Sequence, residues 1–383
     1  MSEQASAWLL YAGTQHASGP AELVRETIDL PAIDGDRVLA EPLYGCWAGN
    51  MTHALERRPA DICRQRREDR VVLGNAGVVR ILSVGPDVRA LRPGQLALLF
   101  SASVLDKYGY PIKALAYDAA GTMGCLATRM VIREHELLLL PEPTRHSLPQ
   151  WAAFSGASIT AWSNWELAHG TLRLQLHHDE LPAPHVWGWG GGTTLAQLDL
   201  ARRHGCNTVQ LSSDPHRRAL IDRTGVTALA REQFPALAFD EARFTGDLTY
   251  RRAYLESETA FLREVERRTD GEGVHIFVDY IGLPVHRVTL KALARQGIVT
   301  TAGWKLGMAL SHLRAAECIA RHQFIHTHFA RRSQGIAAMA YAEAHGWIPE
   351  VDEAVAFDRI PELARAHAGG STGFFPIFAV NPS

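Results

Sequence analysis

Apolar residues fall into two rhythms along this chain. Up to about residue 150 they come in short runs cut by glycine and proline. "DRVLAEPLYGCWAG" and "DRVVLGNAGVVRILSVG" are rich in valine, leucine and isoleucine. "DVRALRPGQLALLF" places a Pro-Gly turn before an apolar strand, and "CLATRMVIREHELLLLPE" reads as two more strands closed by Pro141. Such runs bounded by turn residues predict β structure. The charged stretch 60–70, "ADICRQRREDR", reads as a solvated face.

Beyond about residue 150 the rhythm changes. "SLPQWAAFSGASITAWSNWELA" has helical spacing, with Pro149 near its start. Strand-like and helix-like segments then alternate: "PHVWGWG", "TLAQLDLARRHG", "NTVQLSS", "HRRALIDRTG", "GVHIFVDYIG", "PVHRVTLKALARQG" and "IVTTAG". This βαβα alternation predicts a parallel sheet with helices on both faces, an α/β fold. An insertion between Arg231 and Gly271 holds a charged helical segment, "YLESETAFLREVERRTDG". The tail from about 347 returns to short β segments, "VDEAVAF" and "GFFPIFAV".

The 383 residues suffice for two domains. A formal net charge of −2 gives no field that favours nucleic acid or an anionic membrane. The five cysteines lie far apart, as expected of reduced thiols in a cytoplasm. "MSEQASAWLLYAG" lacks a basic n-region and does not read as a signal peptide. No apolar stretch approaches the ~20 residues that span a bilayer.

The chemistry concentrates in "HVWGWGGGTTLAQLDLARRHG", residues 185–205. A glycine-rich turn between a strand and a helix lets backbone approach a pyrophosphate and aims helix N–H groups at it. Gly188, Gly190, Gly191 and Gly192 supply the turn, and the helix opens at Thr193 and Thr194. Bulk at Trp189, Thr193 and Thr194 could instead close the cradle, leaving a non-redox enzyme or a binding partner. At the end of the next strand stand Ser212 and Ser213, with Arg217 and Arg218 opening the following helix. Small hydroxyls plus arginine suit a 2′-phosphate, and hence NADPH. If the strand runs one residue further, Asp214 takes the acidic position that favours NAD.

The segment "LGNAGVVRILSVGPDVRALRPGQLALL", the glycine turn, "VDYIG" and "ARQGIVTTAG", in that order, resemble the medium-chain dehydrogenase/reductase superfamily. The resemblance covers nearly the whole chain. It implies a GroES-like catalytic domain over 1–155, a Rossmann cofactor domain over 156–346, and a return to the first domain over 347–383. Within the superfamily the chain most resembles the crotonyl-CoA carboxylase/reductase branch. The insertion before "GVHIFVDYIG", the segment "FIHTHFA" and the segment "LAYDAAGTMGCLA" carry that likeness.

The resemblance implies NADPH-dependent reduction of an α,β-unsaturated acyl thioester on CoA or an acyl carrier protein, with or without carboxylation. It places His328, Tyr117 and Asp118 at the catalytic site and Thr160 near the nicotinamide. Asp118 stands where that branch has a glutamate, and the position of its site asparagine falls near Gly45 and Cys46, so that the asparagine is lost here. A homodimer or homotetramer is implied. The zinc set of some relatives is broken, because Asn75 stands where a His-Glu pair would fall. No metal is therefore expected, and a zinc-free quinone or aldehyde reductase remains a further option. Cys318, His322 and His326 have helical spacing, but "QFIHTHFA" reads as a strand that puts His326 and His328 on one face.

Overall fold

A computed structural model describes residues 3–13, 20–303, 305–306 and 309–382. It divides into two compact units, Met1–Ile159 with Phe329–Ser383, and Thr160–His328.

In the first unit, the runs cut by glycine and proline become antiparallel strands. The centre is the long strand Arg37–Cys46, which pairs with Gly77–Val84, Met130–Arg133 and Ile377–Ala379 in a seven-stranded sheet. Pro42 has no N–H to give to the ladder, and the register slips between Pro42 and Tyr44 at that point. A second sheet joins Val24–Asp29, Gln4–Tyr11 and Arg70–Val72. Val38, Val79, Ile81, Leu99, Leu126, Ile132 and Phe378 belong to the core of this unit.

The chain re-enters this unit earlier than residue 347. The helix Arg332–His345 already belongs to it, with Arg332 donating to the carbonyl of His135 at 2.9 Å. A side chain at Gly335 would meet Leu138 at 2.9 Å, so glycine lets the helix lie close. Apolar periodicity does not reveal this, because a helix looks alike in either unit. The tail segments do form strands: Val355–Ala356 pairs in parallel with Ile377–Ala379.

The second unit is the expected parallel sheet. Its strands in chain order are β1 (His185–Trp189), β2 (Asn207–Ser212), β3 (Thr227–Ala230), β4 (Val274–Asp279), β5 (Leu293–Thr301) and β6 (Gln323–His326). They lie in the order 3-2-1-4-5-6. That is the doubly wound order whose reversal point, between β1 and β4, opens a crevice at the strands' C-terminal ends. All six residues of β4 are buried, as a strand covered on both faces requires. Helices α1 (Gly192–Arg203) and α2 (Pro215–Arg223) follow β1 and β2.

The insertion contributes the helix α3 (Leu248–Arg268), capped by the Asp247 carboxylate on the Tyr250 N–H. It buries Tyr254, Ser257, Glu258, Phe261 and Val265, one helical face. Phe261 packs on Trp189 at 5.1 Å between ring centroids, so this helix is part of the core.

Candidate functional site

Three glycines and one threonine shape the turn after β1. Gly190 has φ +146°, a conformation an L side chain rarely adopts, and a Cβ there would lie 2.2 Å from Thr194 Oγ1. A Cβ on Gly188 would lie 2.7 Å from Thr194 Cγ2. Thr194 is fully buried, its hydroxyl donating to the Trp189 carbonyl at 3.3 Å. The threonine at the last position of the turn therefore points inward and fills the space left by glycines on the strand. A Cβ on Gly191 would meet nothing within 4 Å. The mouth of the turn stays open, with the first N–H groups of a twelve-residue helix behind it.

Trp189 does not crowd the turn either. Its ring is buried between Phe261 and Phe277, and its indole N–H donates to Thr289 Oγ1 at 2.9 Å. The residues present thus fit a pyrophosphate. Behind the turn, the Gln210 amide donates to the Gly190 carbonyl at 3.4 Å. Tyr280, which the sequence reading passes over, lies against the turn, its Cβ 3.2 Å from the point a Gly190 Cβ would occupy. Its hydroxyl donates to Gln197 on α1 at 3.1 Å.

The second strand ends at Ser212, two residues before Asp214. That carboxylate caps α2, accepting the Arg217 N–H at 3.0 Å, and this bond lowers its pKa. One of its oxygens thus serves the helix. Ser213 is exposed and Arg217 half-buried. Arg218 is paired with Glu232 at 3.0 Å.

The carboxylate of Asp279 ends β4 and is 4% exposed. Burial raises its pKa to about 6, against the N–H groups of Gly282 and Ile281, which both donate at 2.9 Å. On the helix Leu148–Gln175, Thr160 is half-buried and Asn164 fully buried. Asn164 accepts from the Thr300 hydroxyl at 2.8 Å and donates to Thr327 Oγ1 at 2.9 Å. The sequence reading did not single it out, although one amide in the apolar run "ITAWSNW" was a signal.

His328 follows that bonded Thr327 and is exposed, so it is not a core histidine. The strand β6 stops at His326. The expected shared strand face of His326 and His328 is therefore absent: the Thr327 N–H still bonds Thr301, but the ladder has ended. The helix before β6 ends at Ala320, and His322 bonds Glu317 at 2.7 Å.

Tyr117 and Asp118 lie in the first unit, in the turn after the strand Pro111–Ala114. The Asp118 carboxylate accepts the Ala114 N–H at 2.6 Å, which commits one oxygen to the turn. Tyr117 is half-buried, and burial with the neighbouring Asp118 charge raises its pKa. Cys46 is buried, and burial pushes its thiol up to about 12. Among the described residues, no three His, Cys, Asp or Glu side chains converge on a metal position. Nor is any helix among them long and apolar enough to cross a membrane.

No protein-family model and no curated protein matches the sequence. Solved structures do match in fold. A crotonyl-CoA carboxylase/reductase in complex with NADP superposes with a TM-score of 0.80 at 19% identity, over 99% of this chain and 95% of that one. A 2-octenoyl-CoA carboxylase reductase with NADP and 2-octenoyl-CoA gives 0.85 at 16%, over 100% and 89%. The alcohol dehydrogenase of the archaeon Aeropyrum pernix gives 0.77 at 17%, over 98% and 99%. The chain thus has the fold of the medium-chain dehydrogenases/reductases, a GroES-like β unit joined to a Rossmann unit.

Proposed function

We propose that this protein is an NADPH-dependent reductase of α,β-unsaturated acyl thioesters, on CoA or on a carrier protein. The observation that carries the reading is the open turn at Gly191, with Thr194 folded inward, at the reversal point of a 3-2-1-4-5-6 sheet. Two of the three solved structures described above hold NADP, and one of them also holds an enoyl-CoA.

Gly190, Gly191, Gly192 and Thr193 would hold the pyrophosphate, and Ser212, Ser213 and Arg217 the 2′-phosphate. Thr160 would face the nicotinamide. NADPH held there would supply the hydride for the β-carbon of the thioester. Negative charge then rests on the thioester oxygen and calls for N–H donors placed where it develops. The α-carbon takes the balancing proton, so that two hydrogens cross the double bond and the thioester survives. We assign that proton to His328, whose imidazole is exposed. Tyr117 orients the acceptor, and Asp118 braces the turn that carries it. In a carboxylating variant, carbon dioxide takes the place of the proton.

The test is calorimetric titration with NADPH and with NADH, followed by turnover of short enoyl-CoA thioesters with and without bicarbonate. Trp187 and Trp189 are buried in the core, so a heat signal reads the turn more directly than their emission. Binding of NADPH over NADH with loss of the enoyl double bond is expected. Silence with both cofactors overturns the reading. Product mass separates simple reduction from carboxylation.

A further inference from the structure

The turn that carries Tyr117 is held by an ion pair from the charged stretch 60–70. Asp61 caps the short helix Ile62–Arg66, and that helix turns Arg66 inward. The Arg66 side chain is 1% exposed. Its guanidinium donates to the Glu68 carboxylate at 3.2 and 2.8 Å. It also donates to the carbonyls of Tyr117 at 3.4 Å and Thr122 at 2.6 Å. Glu68 in turn accepts the Gly121 N–H at 2.7 Å. One planar fork and one carboxylate thus hold three backbone groups of a six-residue segment.

The segment needs holding. Ala116 and Gly121 have φ of +53° and +72°, in the left-handed region. Within it, Thr122 Oγ1 donates to the Ala119 carbonyl and accepts the Ala116 N–H, at 2.7 and 2.9 Å. The Tyr117 phenol takes part in none of these bonds. A buried guanidinium is costly to desolvate, and an apolar side chain of similar size often stabilises as well. What the fork adds is geometry, since five N–H donors in one plane fix both carbonyls at once.

We propose that Arg66 and Glu68 are positioning residues that fix the Tyr117 side chain for the second step of the reaction. This rests on the enoyl thioester reading. Arg66→Lys keeps the charge and loses the fork, and Glu68→Gln keeps the shape and loses the charge.

Three readouts test it: steady-state kinetics with a short enoyl-CoA and NADPH, the same kinetics in a Tyr117→Phe background, and hydrogen exchange of amides 116–122. In Arg66→Lys, kcat should fall about ten- to hundredfold, the size expected for a displacement of roughly 1 Å, while KM hardly moves. Exchange over 116–122 should quicken while the rest of the first unit keeps its protection. In the Tyr117→Phe background the same substitution should cost nothing further. An equal loss of kcat in both backgrounds overturns the proposal, as does a change in KM or stability alone. Unchanged exchange in an active variant shows that the clamp does not hold the turn. An inactive wild-type protein instead removes the reductase reading itself.

Discussion

The Thr194 hydroxyl donates to the carbonyl of Trp189 at 3.3 Å, tying the first turn of α1 to the end of β1. The two glycines that follow Trp189 therefore have different jobs, and alanine separates them. Gly190→Ala forces a left-handed residue and a 2.2 Å contact with Thr194, so it should lower Tm and abolish cofactor binding together. Gly191→Ala meets nothing, so Tm should hold while the NADPH Kd rises by about tenfold or more, roughly 1.4 kcal/mol. Calorimetry beside thermal melts checks both, and unchanged affinity in Gly191→Ala would show that no anion sits there.

Arg217→Ala should weaken NADPH by about tenfold and leave NADH unchanged, because only one of them carries a 2′-phosphate. Asp214→Asn should change neither affinity. An asparagine oxygen can still accept the Arg217 N–H, so the helix cap survives. A marked gain in NADH binding from Asp214→Asn would contradict the assignment of that carboxylate to the helix.

Asn164 joins three segments of the second unit through both ends of its amide. Asn164→Ala strands the fully buried Thr300 hydroxyl, at roughly 1–3 kcal/mol, and takes one partner from the half-buried Thr327 hydroxyl, which keeps the Thr301 carbonyl at 3.5 Å. Urea unfolding should show a loss of a few kcal/mol in that unit. Asn164→Asp, nearly the same in shape, should also lose stability near neutral pH, since it buries a charge. Equal stability for all three proteins would mean that the amide bonds are not formed in solution.

Asp279 binds its proton more tightly in the folded chain, at about pH 6, than an exposed aspartate does. Between about pH 4 and 6 the folded state keeps a proton that the unfolded state has lost. Stability from this group therefore falls as pH rises through that window, and stays low above it. The span is roughly 3 kcal/mol. Asp279→Asn keeps an acceptor for Gly282 and Ile281 and removes the penalty. It should gain stability over wild type at pH 7 and little at pH 4, measured by denaturant unfolding at both. A gain independent of pH would place the effect elsewhere.

The parallel sheet was legible because buried strands of an α/β core are short apolar runs closed by glycine, as in "GVHIFVDYIG". The glycine turn was legible as a place, but the direction of Thr194 was not. That depends on room at Gly188 and Gly190, a property of two elements at once. Arg66 was read as solvated because its neighbours in sequence are charged. Its burial is set by Tyr117 and Thr122, about fifty residues away. The return to the first unit was placed late for a similar reason, since the contact of Gly335 with Leu138 leaves no mark on helical periodicity.

Close approach of a helix to a strand depends on the summed volume of the facing residues, not on which of them is small. In this chain the strand and the turn after it give up side chains at Gly188 and Gly190, and the helix takes the space with Thr194. A search by letter for glycine at the third position passes over such a turn, although its backbone can still serve an anion. Homologous chains should trade the two in concert, with glycine at the helix position wherever the strand positions grow, so the pair would evolve as one unit of volume.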